Sequence, residues 1–180
     1  MSPTVDYTLP DPSLTKDGEA QCAKLRENLI DTFTKDVSNP DDIAIVIPSV
    51  SKDFPQVNFS TVDPVWPDKK SSAGRHYAHT KQSILARGKR ALEDLHKRPE
   101  KLIFVVSHAG FLRLGVVGYW FYNSDYRVFD FETERNADGG LRVVQQKRTL
   151  TGGLGLSWED PVALGGDLPE EDPETDPSAF

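Results

Sequence analysis

Apolar and polar positions follow the periods of helices and short strands along the chain. Residues 16–34 place an apolar side chain every three or four positions, which predicts an amphipathic helix with Thr15 as its N-cap. A continuous apolar run over residues 43–47 predicts a strand, and the helical period returns between Thr80 and Pro99. The first half of the chain therefore alternates helix and strand, as α/β proteins do.

The most informative stretch covers residues 102–113. Five apolar residues, three of them β-branched, predict a short strand buried on both faces, and Ser107 and His108 end it. Small residues then permit a tight exit into an apolar helix that reaches Phe121. In open α/β sheets this order of strand, polar tip and helix presents side chains to a ligand, and the helix N-terminus favours an anion.

His108 is the candidate catalytic residue of this stretch, because imidazole exchanges protons near neutral pH. Ser107, Gly110 and Arg113 are the candidate substrate-binding residues beside it. A histidine at a strand end also serves many proteins as a structural residue that satisfies a local hydrogen bond. The local residues leave both interpretations open.

The second half of the chain predicts a hairpin followed by a polar tail. Residues 126–131 and 141–150 predict two strands joined by the turn Asp138-Gly139-Gly140, which would add an antiparallel edge to a mostly parallel sheet. Gly, Pro and acidic residues dominate the remainder, and such a composition predicts disorder. We expect one α/β domain over residues 1–150 and a disordered tail over residues 151–180.

Charge and cysteine content argue against several classes of function. The net charge is −7, but Glu159 to Phe180 hold eight acidic and no basic residues, so the rest of the chain is close to neutral. No basic stripe with interleaved aromatic residues indicates a nucleic-acid surface, and no Cys/His spacing indicates a metal site. No apolar stretch has the length of a membrane span. We therefore expect a cytoplasmic protein without a nucleic-acid or membrane partner.

Two separated segments resemble the histidine phosphatase superfamily, also called phosphoglycerate mutase-like. Residues 7–21 resemble its helix entry D-x-x-L-T-x-x-G-x-x-Q, and residues 98–112 resemble its second catalytic histidine motif, in which His108 takes the place of the histidine. The stretches Phe59-Ser60-Thr61-Val62 and Asn123-Ser124-Asp125-Tyr126-Arg127 are similar to fungal members. The resemblance implies a three-layer α/β/α domain and phosphatase-type activity on a small phosphorylated metabolite, with no metal and no cofactor.

The resemblance also implies a set of catalytic groups, and this sequence contains only some of them. In the family, a histidine in an Arg-His-Gly motif attacks phosphorus, two arginines and the second histidine hold the phosphoryl oxygens, and a carboxyl group protonates the leaving oxygen. The Arg-His-Gly motif would precede Tyr7 and does not occur, so we expect a member shortened at its N-terminus. Residues 48–51 supply no arginine, and Asp53 is a nominal acid. His76 and His79 lie in a predicted loop and are the candidates to replace the nucleophile.

Three function classes therefore stay open. The first is a metal-independent phosphatase or phosphomutase-like enzyme. The second is a degenerate, non-catalytic member that binds a small anionic molecule or a protein. The third is a repurposed biosynthetic enzyme that uses His108 as a general acid or base.

Overall fold

Helices and strands alternate along the chain, which is therefore a mixed α/β protein with small sheets. The fold is that of a computed structural model, which describes residues 15–33, 39–46, 63–65, 68, 71–135 and 139–170. The helices are α1 (Lys16–Phe33), α2 (Lys81–His96), α3 (Ala109–Phe111) and a π-helix (Leu112–Val117). The strands are β1 (Ile43–Val46), β2 (Leu102–Val105), β3 (Phe129–Phe131) and β4 (Val143–Gln145). Short 3-10 helices cover Pro40–Asp42, Arg75–Tyr77 and Lys147–Thr149.

The two long helices begin at the residues that the sequence pattern predicts. The Thr15 hydroxyl lies 3.1 Å from the Gly18 backbone nitrogen at the start of α1. The Thr80 hydroxyl accepts a hydrogen bond from the Ser83 backbone N–H, at 3.2 Å, at the start of α2. Each oxygen satisfies a donor that has no partner within the helix, so both predicted N-caps are confirmed.

The strands β1 and β2 pair in parallel, with Ile43 opposite Leu102 and Val46 opposite Val105. Helix α1 packs against this pair through Phe33, whose ring meets that of Phe104 edge-on at 5.6 Å. The prediction that the second strand is buried on both faces is wrong at its end, because Val105 and Val106 are 41% and 54% exposed. A strand is buried on both faces only where layers cover both of its sides, and the described residues cover this end incompletely.

The helix after β2 is shorter than the predicted helix, which extended to Phe121. Its first turn is α-helical, the next six residues are π-helical, and it ends at Gly118, whose φ of 72° lies in the left-handed region. Glycine adopts this conformation without the steric cost that a side chain would add, and it commonly ends a helix in this way. A Cβ at Gly118 would also lie 2.8 Å from the Val162 carbonyl oxygen.

Helix α2 and the π-helix cross at two glycines. A Cβ built on Gly88 would lie 1.6 Å from the carbonyl oxygen of Gly115, so the two backbones touch at this point. Beside the crossing, Ile84, Leu114 and Leu168 form a buried apolar cluster. The backbone contact sets how close the helices lie and how the cluster packs between them.

The hairpin forms as predicted, and its position in the sheet differs from the prediction. Strands β3 and β4 pair antiparallel, with Phe129 opposite Gln145. Among the described strands this pair is a separate two-stranded sheet rather than an edge added to β1 and β2. The strands are also shorter than predicted, because residues 147–149 turn into a 3-10 helix. The predicted turn residue Asp138 lies outside the described residues.

The described part of the predicted tail, residues 151–170, differs from the expected disorder because it makes specific contacts. The Asp125 carboxylate accepts hydrogen bonds from the backbone N–H groups of Leu154 (2.9 Å) and Leu156 (3.2 Å) and from the Ser157 hydroxyl (2.6 Å). Further along, Leu168 completes the apolar cluster. Composition indicates only what a segment can bury by itself, and here the partners belong to the rest of the chain.

Arg127 is the buried charge that holds these parts together. Its guanidinium donates to the carbonyl oxygens of Trp120 (2.7 and 3.0 Å), Leu150 (2.6 Å) and Trp158 and to the Gln145 side chain (3.1 Å). The residue is 8% exposed, and burial lowers the pKa of its guanidinium. One side chain therefore joins the loop before β3, the end of β4 and residues 151–170.

Substitution Gly88→Ala should lower the free energy of unfolding by about 1–3 kcal/mol, the usual cost of overpacking, because its Cβ would overlap the Gly115 carbonyl oxygen. Gly110→Ala is the matched control, since nothing lies within 4 Å of a Cβ there. The control should be neutral or stabilising by about 0.5 kcal/mol. Urea unfolding measures both variants, and equal stabilities would contradict the close crossing.

Substitution Arg127→Lys should lower the free energy of unfolding by about 2–4 kcal/mol. Lysine keeps the charge but loses the planar fork, so at least one or two buried carbonyl oxygens lose their donor, at about 1–3 kcal/mol each. Arg90→Lys, on the exposed face of α2, is the control and should change stability by less than about 0.5 kcal/mol. The same urea titration distinguishes the two variants.

Candidate functional site

The predicted site lies at the carboxyl end of the parallel pair. Val46 and Val105 are opposite each other there, so the ends of β1 and β2 meet at one edge. Ser107 and His108 follow one residue after the end of β2, and His108 is the residue immediately before α3, with an extended backbone (φ −74°, ψ 137°). The structure confirms the predicted order of strand, polar tip and helix.

The His108 side chain is exposed and has no partner among the described residues. Its backbone carbonyl accepts from the Leu112 N–H at 3.1 Å, whereas no hydrogen bond, ion pair or ring contact to a described residue involves its imidazole. Beside it, a Cβ on Gly110 would meet nothing within 4 Å, so the space around the first turn is open. Ser107 is half-buried. The imidazole can therefore donate to or accept from a ligand without giving up a bond within the described structure.

Arg113, the other predicted ligand-binding residue, packs against an aromatic ring. Its guanidinium carbon lies 4.8 Å from the ring centroid of Trp120, a cation–π geometry. Its Nε is buried and has no hydrogen-bond partner among the described residues. Trp120 in turn stacks on Trp158, with centroids 5.5 Å apart and ring planes 21° apart, and Trp158 is 66% exposed. No hydrogen bond, ion pair or ring contact among the described residues joins Arg113 to His108.

The sequence pattern did not predict this stack of Arg113, Trp120 and Trp158. The one available signal is the aromatic run Tyr119-Trp120-Phe121-Tyr122, which directly follows the π-helix. The predicted helix includes Tyr119, Trp120 and Phe121 of that run, and in a helix their rings would point in different directions. The pairing with Trp158 depends on the return of residues 151–170 to the body, which the composition of that segment did not indicate.

His76 contacts a carboxylate of its own loop. Its Nε2 lies 3.6 Å from Asp63 Oδ2, and its ring lies 4.0 Å from the ring of Tyr77. The Tyr77 hydroxyl donates to Asp63 Oδ2 at 2.9 Å, and the Val65 N–H donates to Asp63 Oδ1 at 2.9 Å. No bond or ring contact among the described residues joins His108 to His76 or to the exposed His79.

The pKa values of this loop cluster are shifted in opposite directions. The hydrogen bond from the Val65 N–H, followed by that from Tyr77, lowers the pKa of the Asp63 carboxyl. Burial, followed by the bond to Asp63, raises the pKa of the Tyr77 hydroxyl. Both shifts keep the carboxylate charged and the phenol protonated over a wider pH range, as their hydrogen bond requires.

Several residues that the family resemblance assigns to its motifs or catalytic site lie outside the described residues. They are residues 7–14, residues 48–51 and Asp53. Within the described residues, no group of three or more His, Cys, Asp or Glu side chains could hold a metal ion. None of the described helices combines the length and apolar character needed to cross a membrane.

Substitution Tyr77→Phe should raise the pKa of Asp63 and leave it below its ordinary value, because the stronger bond from Val65 remains. Since the folded pKa of Asp63 is lowered, its stabilisation is present above the unfolded pKa, about 4, and is lost as pH falls through the folded pKa. In the variant that loss should be smaller and should be complete at a higher pH. Carboxyl carbon chemical shifts followed by NMR measure the pKa, with Tyr122→Phe as the control. An unchanged Asp63 pKa would contradict the bond.

Comparison with known proteins finds no match that tests the family resemblance. The resemblance to the histidine phosphatase superfamily therefore depends on the motifs quoted above. No family model, no curated protein and no solved structure matches this chain.

Proposed function

We propose that this chain is a phosphoglycerate mutase-like protein of the histidine phosphatase superfamily, and that it binds the phosphoryl group of a small phosphorylated molecule at His108. The proposal depends on one observation above all. The His108 imidazole is exposed at the carboxyl end of the parallel pair and has no bonding partner among the described residues.

The surroundings of His108 suit a phosphoryl group. The backbone N–H groups of the first helical turn have no partner within the helix and can donate to phosphoryl oxygens, as the imidazole can when protonated. The absence of a side chain at Gly110 keeps the approach to these donors open. Ser107, half-buried beside His108, adds a hydroxyl that can donate or accept.

The proposal includes the three-layer α/β/α architecture of the family. Two features support it. Strands β1 and β2 are parallel, and the segment between them contains α2, as in a βαβ unit. Helix α1 packs on the strand pair through Phe33 and Phe104.

Binding is the part of the family's chemistry that the described contacts support best. In the family's chemistry the imidazole that attacks phosphorus belongs to a different histidine from the one that holds the oxygens, and it must be in line with the phosphorus. The described contacts of His76 go to Asp63 and Tyr77 instead. Hydrolysis of a phosphomonoester is the activity that the resemblance implies, and it is measured together with binding.

Substitution His108→Asn should weaken the binding of inorganic phosphate about tenfold or more, because a charged donor to an anion contributes about 1.5–3 kcal/mol. The measurement is an NMR titration of the full chain with phosphate and with phenyl phosphate, followed at the imidazole and backbone N–H signals. Signals of His108, Ala109 and Gly110 should shift in the unmodified chain.

The control variant is His96→Asn, at the opposite end of the βαβ unit, where α2 ends before β2 begins. It should bind phosphate as the unmodified chain does. Equal affinity of the His108 and His96 variants would overturn the proposal. Phenyl phosphate hydrolysis that disappears only in the His108 variant would extend it from binding to catalysis.

A further inference from the structure

A cleft of about 540 Å³ lies between α2, the π-helix and the start of β4. Its volume falls within the usual range of small-molecule sites, about 300–1,000 Å³. None of the predicted site residues Ser107, His108, Gly110 and Arg113 lines it. It is therefore a place where a ligand could bind independently of His108.

Most of the described residues that line the cleft are apolar, and they come from four parts of the chain. Leu92 belongs to α2, Val116 to the π-helix, Leu141 to the segment that enters β4, and Leu164 to residues 151–170. Leu164 is 48% exposed, so part of this apolar surface faces solvent. Exposed apolar side chains around a concave surface are typical of a site that accepts an apolar group.

Among the described residues that line the cleft, two are cations and none is acidic. Lys89, on the exposed side of α2, makes no hydrogen bond or ion pair with any described residue. Arg142 is half exposed, and its Nε lies 3.0 Å from Glu132, which does not line the cleft. The lining charge is positive, and Lys89 is free to pair with an anion.

The backbone holds the walls of the cleft in place. Gly88 and Gly115 bring α2 and the π-helix into backbone contact, and Gly115 lies in the wall of the cleft. The Gly165 N–H donates to the Leu114 carbonyl at 2.7 Å, which fixes the segment that carries Leu164. The π-helical turn also widens this wall, and π-helical turns are frequent at functional sites.

We propose that this cleft binds an apolar carboxylate, such as a medium-chain fatty acid. The hydrocarbon part lies along Leu92, Val116 and Leu141, and the carboxylate pairs with Lys89. Apolar contact contributes most of the affinity, and the cation selects the acid over its neutral analogue.

The test uses the full chain with decanoate as the ligand and decanol as its neutral analogue, both below the concentrations at which they aggregate. Calorimetry gives the affinity, and methyl signals of Leu92, Val116 and Leu141 should shift on titration. Lys89→Gln should weaken decanoate binding about fivefold to tenfold and leave decanol binding unchanged. Lys97→Gln, which removes an exposed lysine at the end of α2, is the control and should change neither.

A second variant tests the cavity without changing charge. Ala86→Phe places a ring in the cleft and should reduce binding of both ligands at least tenfold, whereas Ala23→Phe, on the exposed face of α1, should reduce neither. Equal loss of decanoate binding in the Lys89 and Lys97 variants would overturn the proposal, as would undiminished binding to Ala86→Phe. Phosphate should not displace decanoate, so this result does not depend on the fate of the His108 proposal.

Discussion

The buried guanidinium of Arg127 is the interaction on which the described structure most depends. A charge removed from water is tolerated only when its donors find acceptors. Here the acceptors are the backbone carbonyls of Trp120, Leu150 and Trp158 and the side chain of Gln145. Because carbonyl oxygens have fixed positions on the backbone, each bond determines where a stretch of irregular chain must lie. The rings of Tyr119 and Phe121, with centroids 5.2 and 5.4 Å from the guanidinium carbon, line the same site.

Asp125, two residues before Arg127, is the corresponding hydrogen-bond acceptor. Its carboxylate accepts hydrogen bonds from residues 154–157, whereas the Arg127 guanidinium donates hydrogen bonds. The two side chains lie in a loop with almost no regular structure, yet they fix residues 151–170 against the hairpin. This arrangement holds a glycine-rich segment in place, because polar groups of the segment pair with opposite polar groups on the body.

Local features of this fold could be predicted from the sequence, and features that depend on distant residues could not. Thr15 and Thr80 were identified as N-caps because the cap and the donors it satisfies are within a few residues of each other. The end of the helix at Gly118 and the separation of the hairpin from β1 and β2 depend on tertiary contacts. At the candidate site, the position of His108 after β2 could be predicted, because it depends only on the order of residues in the local sequence. The packing of Arg113 on Trp120 depends on the chain path after the π-helix, and periodicity carries no information about that path.

The apolar cluster has a consequence for the order in which the protein can form. Ile84 and Leu114 lie near the middle of the chain, whereas Leu168, which completes the cluster, is synthesised more than fifty residues after Leu114. While the ribosome is still making that later part, Ile84 and Leu114 lack the cover that Val162 and Leu168 provide. The nascent chain therefore exposes apolar surface between α2 and the π-helix until residues 162–168 have emerged, and a chaperone would bind it there.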